Sequence, residues 1–224
     1  MSKEELCKRY SLFILGLFVS AFGVSLITKA QLGTAPISSV PYTLSMGFPI
    51  TMGTLIFLLN MLLIIGQLLL LKRKFQLVQL IQVPVSIMFG YFIDLTMSLL
   101  SFLNPATYLL KIEFLLAGCV ILALGISMEV IANVVMLSGE AFVQAISVTF
   151  NKEFGRTKVV FDVTLIAAAS IISVFLFGEL VGIGEGTMIS ALIVGLIVRF
   201  FNGKLRFVND RLRAEQNGEV NETI

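Results

Sequence analysis

The chain has 224 residues, of which 57% are hydrophobic and 13% charged, and its mean hydropathy is +0.98. A soluble domain carries about 25% charged and about 45–50% apolar residues, so the surplus apolar surface excludes a cytosolic globule, a disordered chain and a disulfide-rich secreted domain. What remains is an all-α integral membrane protein whose net charge of +2 gives no reason to expect a nucleic-acid partner.

Residues 1–10 are polar and carry Lys3, Lys8 and Arg9 ahead of an apolar stretch. That order resembles a signal peptide, but the stretch from Ser11 to Ile27 exceeds an h-region of about 7–15 residues, and Lys29 spoils the cleavage site. An uncleaved first span is expected. A crossing needs about 20 apolar residues, and six stretches qualify: 11–30, 50–71, 78–102, 112–137, 159–177 and 186–201.

Between the spans lie two shorter, more polar stretches. Residues 33–48 contain Pro36, Ser38, Ser39, Pro41, Thr43 and Ser45, and residues 138–150 contain Glu140, Gln144, Ser147 and Thr149. Polar or broken segments persist at membrane depth only when packed in protein or lining a cavity. Both are read as short re-entrant or interfacial helices, with an amphipathic surface loop as the alternative. Ser138 is a plausible N-cap for the second.

With the N-terminus in the cytoplasm, fourteen of the sixteen basic residues fall inside, leaving only Lys29 and Lys111 outside. Arg206, Arg211 and Arg213 of the polar tail, 202–224, are among the fourteen. Six spans with both termini cytoplasmic satisfy the positive-inside rule. The expected location is a membrane with both chain ends on its cytoplasmic side. Cys7, in a polar stretch, and Cys119, inside an apolar run, are read as free thiols.

The chain also repeats. A shift of 102 residues lays 16–75 on the second half without a gap, with eleven identities in sixty pairs. They include Gly16/Gly118, Gly23/Gly125, Ser25/Ser127 and Gly53/Gly155; Asn60 meets Asp162. After Phe75 the register slips by about three, and Gly90 then aligns with Gly195. Each half (11–105 and 112–201) holds three spans and one short segment. An odd number of crossings inverts the second half, so the expected architecture is two inverted-topology three-helix repeats, a common transporter plan. A duplicated bundle with no transport role is the structural alternative.

Three stretches carry a resemblance to a known group: Leu32-Gly33-Thr34-Ala35-Pro36, Gly90-Tyr91-Phe92-Ile93-Asp94 and Gly182-Ile183-Gly184-Glu185-Gly186-Thr187. In order and spacing they resemble the YczE/YyaS/YitT group of bacterial integral membrane proteins, over roughly residues 11–201. The resemblance implies a transporter-like protein and supplies no substrate. The group often has an acid two residues after the proline, where this chain has Ser38. The soluble C-terminal domain of some members is not expected here.

An ionised side chain at mid-bilayer costs about 2.5–3.5 kcal/mol on insertion scales, so acids inside spans need a partner or a wet cavity. Glu129, with Asn133 at i+4, is the leading candidate for a substrate or proton site; a protonated packing residue is the other reading. Asp162 either joins a site with Asn60 or pairs with Lys158. Glu140, Ser38, Ser39 and Gln82 complete the expected substrate-binding set. Asp94 is a pathway residue or a cap on a neighbouring helix, and Glu185 a gate or a turn. Gly16, Gly23, Gly118 and Gly125 suit close helix contact. With no histidine, zinc motifs of the HExxH kind and Ser-His catalysis are unavailable; no metal, cofactor or enzymic activity is expected. The expected partners are a small solute and the bilayer, and a homodimer is compatible with the sequence. The leading function is a small secondary transporter, proton coupling included. A membrane scaffold or accessory subunit, or a flippase for lipids or amphiphiles, is the alternative.

Overall fold

The computed structural model describes residues 3–204. The first residues of the N-terminal segment and most of the expected tail, with Arg206, Arg211 and Arg213, lie outside the described residues. Eight helices follow in chain order: α1 (Lys3–Lys29), α2 (Pro36–Gly47), α3 (Met52–Leu71), α4 (Gln82–Leu99), α5 (Tyr108–Ala132), α6 (Ser138–Phe150), α7 (Phe154–Phe177) and α8 (Glu185–Lys204). Two 3₁₀ turns, Lys72–Lys74 and Leu77–Ile81, join α3 to α4. No strand occurs among the described residues. The six long helices are long and apolar enough to cross a membrane. The 12 residues of α2 and 13 of α6 give only about 18–20 Å of helix, short of a hydrocarbon core of about 30 Å.

Local chemistry moves several expected boundaries. The first helix begins at Lys3 rather than residue 11, because Glu5 and Arg9 pair across one turn at 2.9 Å. The fifth occupies Tyr108–Ala132 rather than 112–137. Thr107 starts it by accepting the Leu110 amide, and Asn133 ends it in the left-handed region at φ 50°, a conformation asparagine tolerates. Ser138 is not an N-cap: it is the first helical residue of α6, and its hydroxyl meets that of Ser86 at 3.1 Å.

α1 and α5 form the antiparallel centre. Arg9 reaches Ala132, Gly16 lies on Gly125, Gly23 on Leu122 and Gly118 on Ile27, so numbers rise on one helix as they fall on the other. A Cβ on Gly16 would stand 3.0 Å from the Gly125 carbonyl oxygen, and one on Gly118 would stand 3.1 Å from that of Gly23. Helices in lipid gain little from the hydrophobic effect, so association rests on such close backbone packing. α4 flanks α1, with Phe18 edge-on to Phe92 at 5.4 Å and Ser25 bonded to Thr96 at 2.7 Å. α8 flanks α5.

The other four helices exchange partners between halves. α2 packs on α7, where Ser39 donates to the Leu165 carbonyl at 3.4 Å and Gly47 touches Leu176 and Phe177. α6 packs on α3, where Gly66 lies under Phe142. Leu63, Val143, Phe161 and Leu165 form the core of this group. At its centre the first turns of α2 and α6 meet, with Gly139 directly against Ile37 and no space for a Cβ.

Two stretches noted in the sequence interlock at the end where α1 finishes. Gly33, at φ 121°, abuts Thr187 and Gly184, and the Gly186 amide donates to the Leu32 carbonyl at 2.8 Å. Thr28 and Thr34 bond at 2.7 Å, and Ser190 donates to the Thr34 carbonyl at 3.4 Å. The start of α2 is thereby clasped by α8, as the start of α6 is clasped by Ser86 of α4.

Candidate functional site

Asn60 lies on α3, Ser38 and Ser39 on α2, Glu140 on α6 and Asp162 on α7, four helices that pack on one another. Asn60, in the middle of α3, is 7% exposed, yet its amide makes no hydrogen bond to another described residue. Ser38, in the first turn of α2, is 2% exposed and its hydroxyl is likewise unpartnered among the described residues. Ser39 is different: its hydroxyl donates to the Pro36 carbonyl at 2.6 Å and closes the helix start on itself. The polar side-chain atoms fully enclosed without a partner among the described residues are Gln79 Oε1 and Asn202 Oδ1, so the Asn60 amide and the Ser38 hydroxyl, which bond no described residue, each keep some accessible polar surface inside an otherwise buried residue.

Glu140 lies in the first turn of α6, beside the α2–α6 meeting point. Its charge interacts with Lys158 and Asp162 on α7 and with Glu129 at the end of α5. Lys158 holds Asp162 at 2.8 Å across one helical turn. Glu129 is buried and accepts a hydrogen bond from Ser20 of α1 at 2.6 Å. It sits in the last turn of α5, not mid-span, because that helix stops at Ala132. Asn133 does not share its face. It is the exposed left-handed residue that closes the helix, and its amide donates to the Glu129 carbonyl at 3.1 Å.

The remaining candidates stand apart from this group. Gln82 forms a reciprocal amide pair with Gln67, at 3.1 and 3.2 Å, and Gln67 also donates to the Ser138 carbonyl at 3.2 Å. This ties α3, α4 and α6 together. Asp94 caps α3: one oxygen accepts the Gly53 amide and the other the Thr51 hydroxyl, both at 2.7 Å. Its negative charge meets the positive end of the helix dipole. Glu185 opens α8 and is exposed. It borders an open cleft of about 640 Å³ lined by Gln31, Tyr42, Met46, Leu180 and Gly182 among others. The cleft lies at the interlocked end of the bundle and includes neither Asn60 nor Glu129.

A family model described as "Family of unknown function (DUF6198)" matches residues 7–203. The chain belongs to that family. It is also 29% identical over 203 residues to "Uncharacterized membrane protein YczE" of Bacillus subtilis (strain 168), covering 88% of this chain and 87% of that protein. No solved structure matches. This DUF6198 chain is therefore a YczE-like membrane protein.

Three polar residues of the DUF6198 chain escaped the sequence reading. Arg9 counts as a cytoplasmic charge by position, but it is 8% exposed and donates to the Ala132 carbonyl at 3.3 Å. It thus satisfies one of the carbonyls left free where α5 ends. Gln67 is fully buried in an otherwise apolar helix end, and Ser20 partners Glu129. Gln67 had a legible signal, an isolated amide within a run of leucines. Ser20 had none, because a serine in a span gives no sign of its partner.

Proposed function

We propose that this protein is a small secondary transporter in which two inverted halves alternate access to a polar centre for a small polar or amphipathic solute. The observation that carries this reading is the unpartnered, buried Asn60, within the four-helix group that also holds Ser38 and Glu140. A bundle built only to be stable gains nothing by leaving such groups without partners.

The inverted repeat draws support from contacts that exchange with the halves. Under the 102-residue shift Gly16 corresponds to Gly118 and Gly23 to Gly125. Gly16 packs on Gly125, and Gly118 packs near the Gly23 carbonyl. Ile37 and Gly139 are themselves repeat partners, and they touch. Contact between equivalent residues is what a two-fold axis through that point requires. In this reading α2 and α6 are re-entrant, starting near the axis and leaving toward opposite faces. Both termini are cytoplasmic, following the distribution of basic residues, and the membrane is the bacterial cytoplasmic one.

Glu129 is the coupling residue in this proposal: an acid at the α1–α5 interface with a single hydroxyl partner can take up and release a proton as the halves move. The test is flux in proteoliposomes. Pools of small metabolites are screened for uptake under an imposed pH gradient, first with the parent and then with Asn60→Leu and Glu129→Gln. Uptake that needs Asn60 and responds to the gradient through Glu129 is expected. Absence of uptake from every pool, with no proton movement, would sink the proposal and leave a scaffold.

A further inference from the structure

The two halves differ at one seam. In the first half α3 and α4 are in close contact: Gly53 and Gly90 touch backbone to backbone, and a Cβ on Gly90 would stand 2.6 Å from the Gly53 carbonyl oxygen. Asp94 locks the seam by bonding Thr51 and Gly53. In the second half α7 and α8 make almost no contact below their connecting loop. A Cβ on Gly155 would meet only the Glu153 carboxylate, at 3.7 Å, and one on Gly195 would meet nothing within 4 Å. Glu153 pairs with Arg156 of its own helix at 3.1 Å, both side chains being exposed. Arg199 is exposed and makes no ion pair among the described residues.

The repeat assigns each group of the closed seam a counterpart in the open one. Gly53 corresponds to Gly155 and Gly90 to Gly195, the pairs on which the two registers rest. The same two shifts carry Thr51 onto Glu153 and Asp94 onto Arg199. The hydroxyl-to-carboxylate lock of the first half thus becomes a carboxylate and a guanidinium, an oppositely charged pair suited to charge-assisted hydrogen bonding. Neither residue uses that capacity on the other helix here.

We propose that the two seams close in alternation, and that the α7–α8 seam closes with Gly155 against Gly195 and Glu153 paired with Arg199. This rests on the inverted-repeat reading and deepens it. The lock of Thr51, Gly53 and Asp94 is the gate at the end where α1 finishes. The pair Glu153 and Arg199 is the gate at the opposite end, where α7 begins and α8 ends. The structure then holds the first gate closed and the second open. Exchanging the two halves' conformations yields the other state, because an inverted repeat makes the two arrangements equivalent in kind.

The experiment uses the full chain in lipid vesicles, with Cys7→Ser to remove the exposed thiol and the fully buried Cys119 retained. Glu153→Cys and Arg199→Cys are combined and oxidised with copper-phenanthroline, and disulfide formation is followed by gel mobility. The cross-link is expected to form, and Asp94→Asn, which weakens the first lock, is expected to speed it on the order of tenfold. Gly90→Val, which wedges the first seam, should act the same way. Because that variant risks misfolding, spin-label distances between positions 153 and 199 in the Asp94→Asn background provide a second measurement, expected to show a short population that the parent holds only weakly. Single cysteines at Phe48 and Asn151 are labelled from each side in parallel. If these label from opposite sides while the cross-link never forms or ignores Asp94→Asn, the alternation is wrong and the inverted repeat stands. If they label from one side, the repeat itself is wrong, and the alternation falls with it.

Discussion

The α1–α5 pair and the α2–α3–α6–α7 group bury polar groups in opposite ways. Between α1 and α5 the backbones touch through glycines, and Glu129 has its hydroxyl partner from Ser20. In the four-helix group Asn60 and Ser38 are as deeply buried and have no partner among the described residues. Close packing needs every small residue where it stands, and leaves nothing free to bind. The four-helix group pairs two short helices with two long ones and leaves the Asn60 amide and the Ser38 hydroxyl without partners among the described residues. The contrast separates a closely packed frame from the region that the proposed function assigns to the solute.

The largest effect is expected at the frame. Gly23→Leu would drive a side chain into the Leu122 backbone, and Gly125→Leu into Ser20. Overpacking a core costs about 1–3 kcal/mol when side chains can shift, and a backbone obstacle shifts less, so loss of folded, monodisperse protein on size-exclusion in detergent is expected. Gly195→Leu, facing open space, should fold within about 0.5 kcal/mol of the parent, as ordinary surface changes do. Equal behaviour of the three variants would erase the distinction between frame and open seam.

Next come the buried amides, which sharpen the contrast because they differ only in partnership. Gln67→Leu leaves Gln82 buried without its reciprocal bonds, a loss of about 1–3 kcal/mol visible as a lower detergent melting temperature. Asn60→Leu removes a group that bonds no other described residue, so its melting temperature should hold or rise while uptake disappears. A destabilised Asn60→Leu would mean that the amide has a structural partner after all.

Much of this contrast was legible in the residues. The six spans, the two short segments and the spacing of Gly16, Gly23, Gly118 and Gly125 all follow from composition and period, which lipid enforces strongly. The helix ends were less legible. Helix periodicity places Asn133 and capping preference places Ser138, but a left-handed asparagine ends α5 early and a serine pair across to α4 takes the Ser138 hydroxyl. These are choices between nearly equivalent local bonds, decided by what a distant helix offers. Asp94 was open between pathway and cap for the same reason: a sequence gives the charge, and only the fold gives the Gly53 amide.

Glu129→Gln separates coupling from packing. A glutamine oxygen can still accept the Ser20 hydroxyl, so the melting temperature should stay within about 0.5 kcal/mol of the parent on the scale of neutral substitutions. Proton-driven uptake should fall on the order of tenfold or more, since an amide carries no exchangeable charge. Unchanged pH-gradient dependence would return Glu129 to the frame, as one more polar group satisfied at the α1–α5 contact.

The smallest effect is expected at Asp162. Lys158 and Asp162 form a one-turn pair that is partly exposed, at 31% and 18% of the side-chain surface, and pairs of that kind contribute about 0.3–0.5 kcal/mol. Asp162→Asn should therefore barely move the melting temperature. Its value lies elsewhere, because freeing Lys158 leaves an unneutralised cation whose charge Glu140 already feels. If the four-helix group receives an anionic solute, half-saturation in the uptake assay should fall in Asp162→Asn as the local charge turns positive. If it receives a cation, half-saturation should rise. Identical uptake in Asp162→Asn and the parent would place the solute outside the reach of Lys158, nearer Asn60 than Glu140, and would narrow the site to the α2–α3 side of the group.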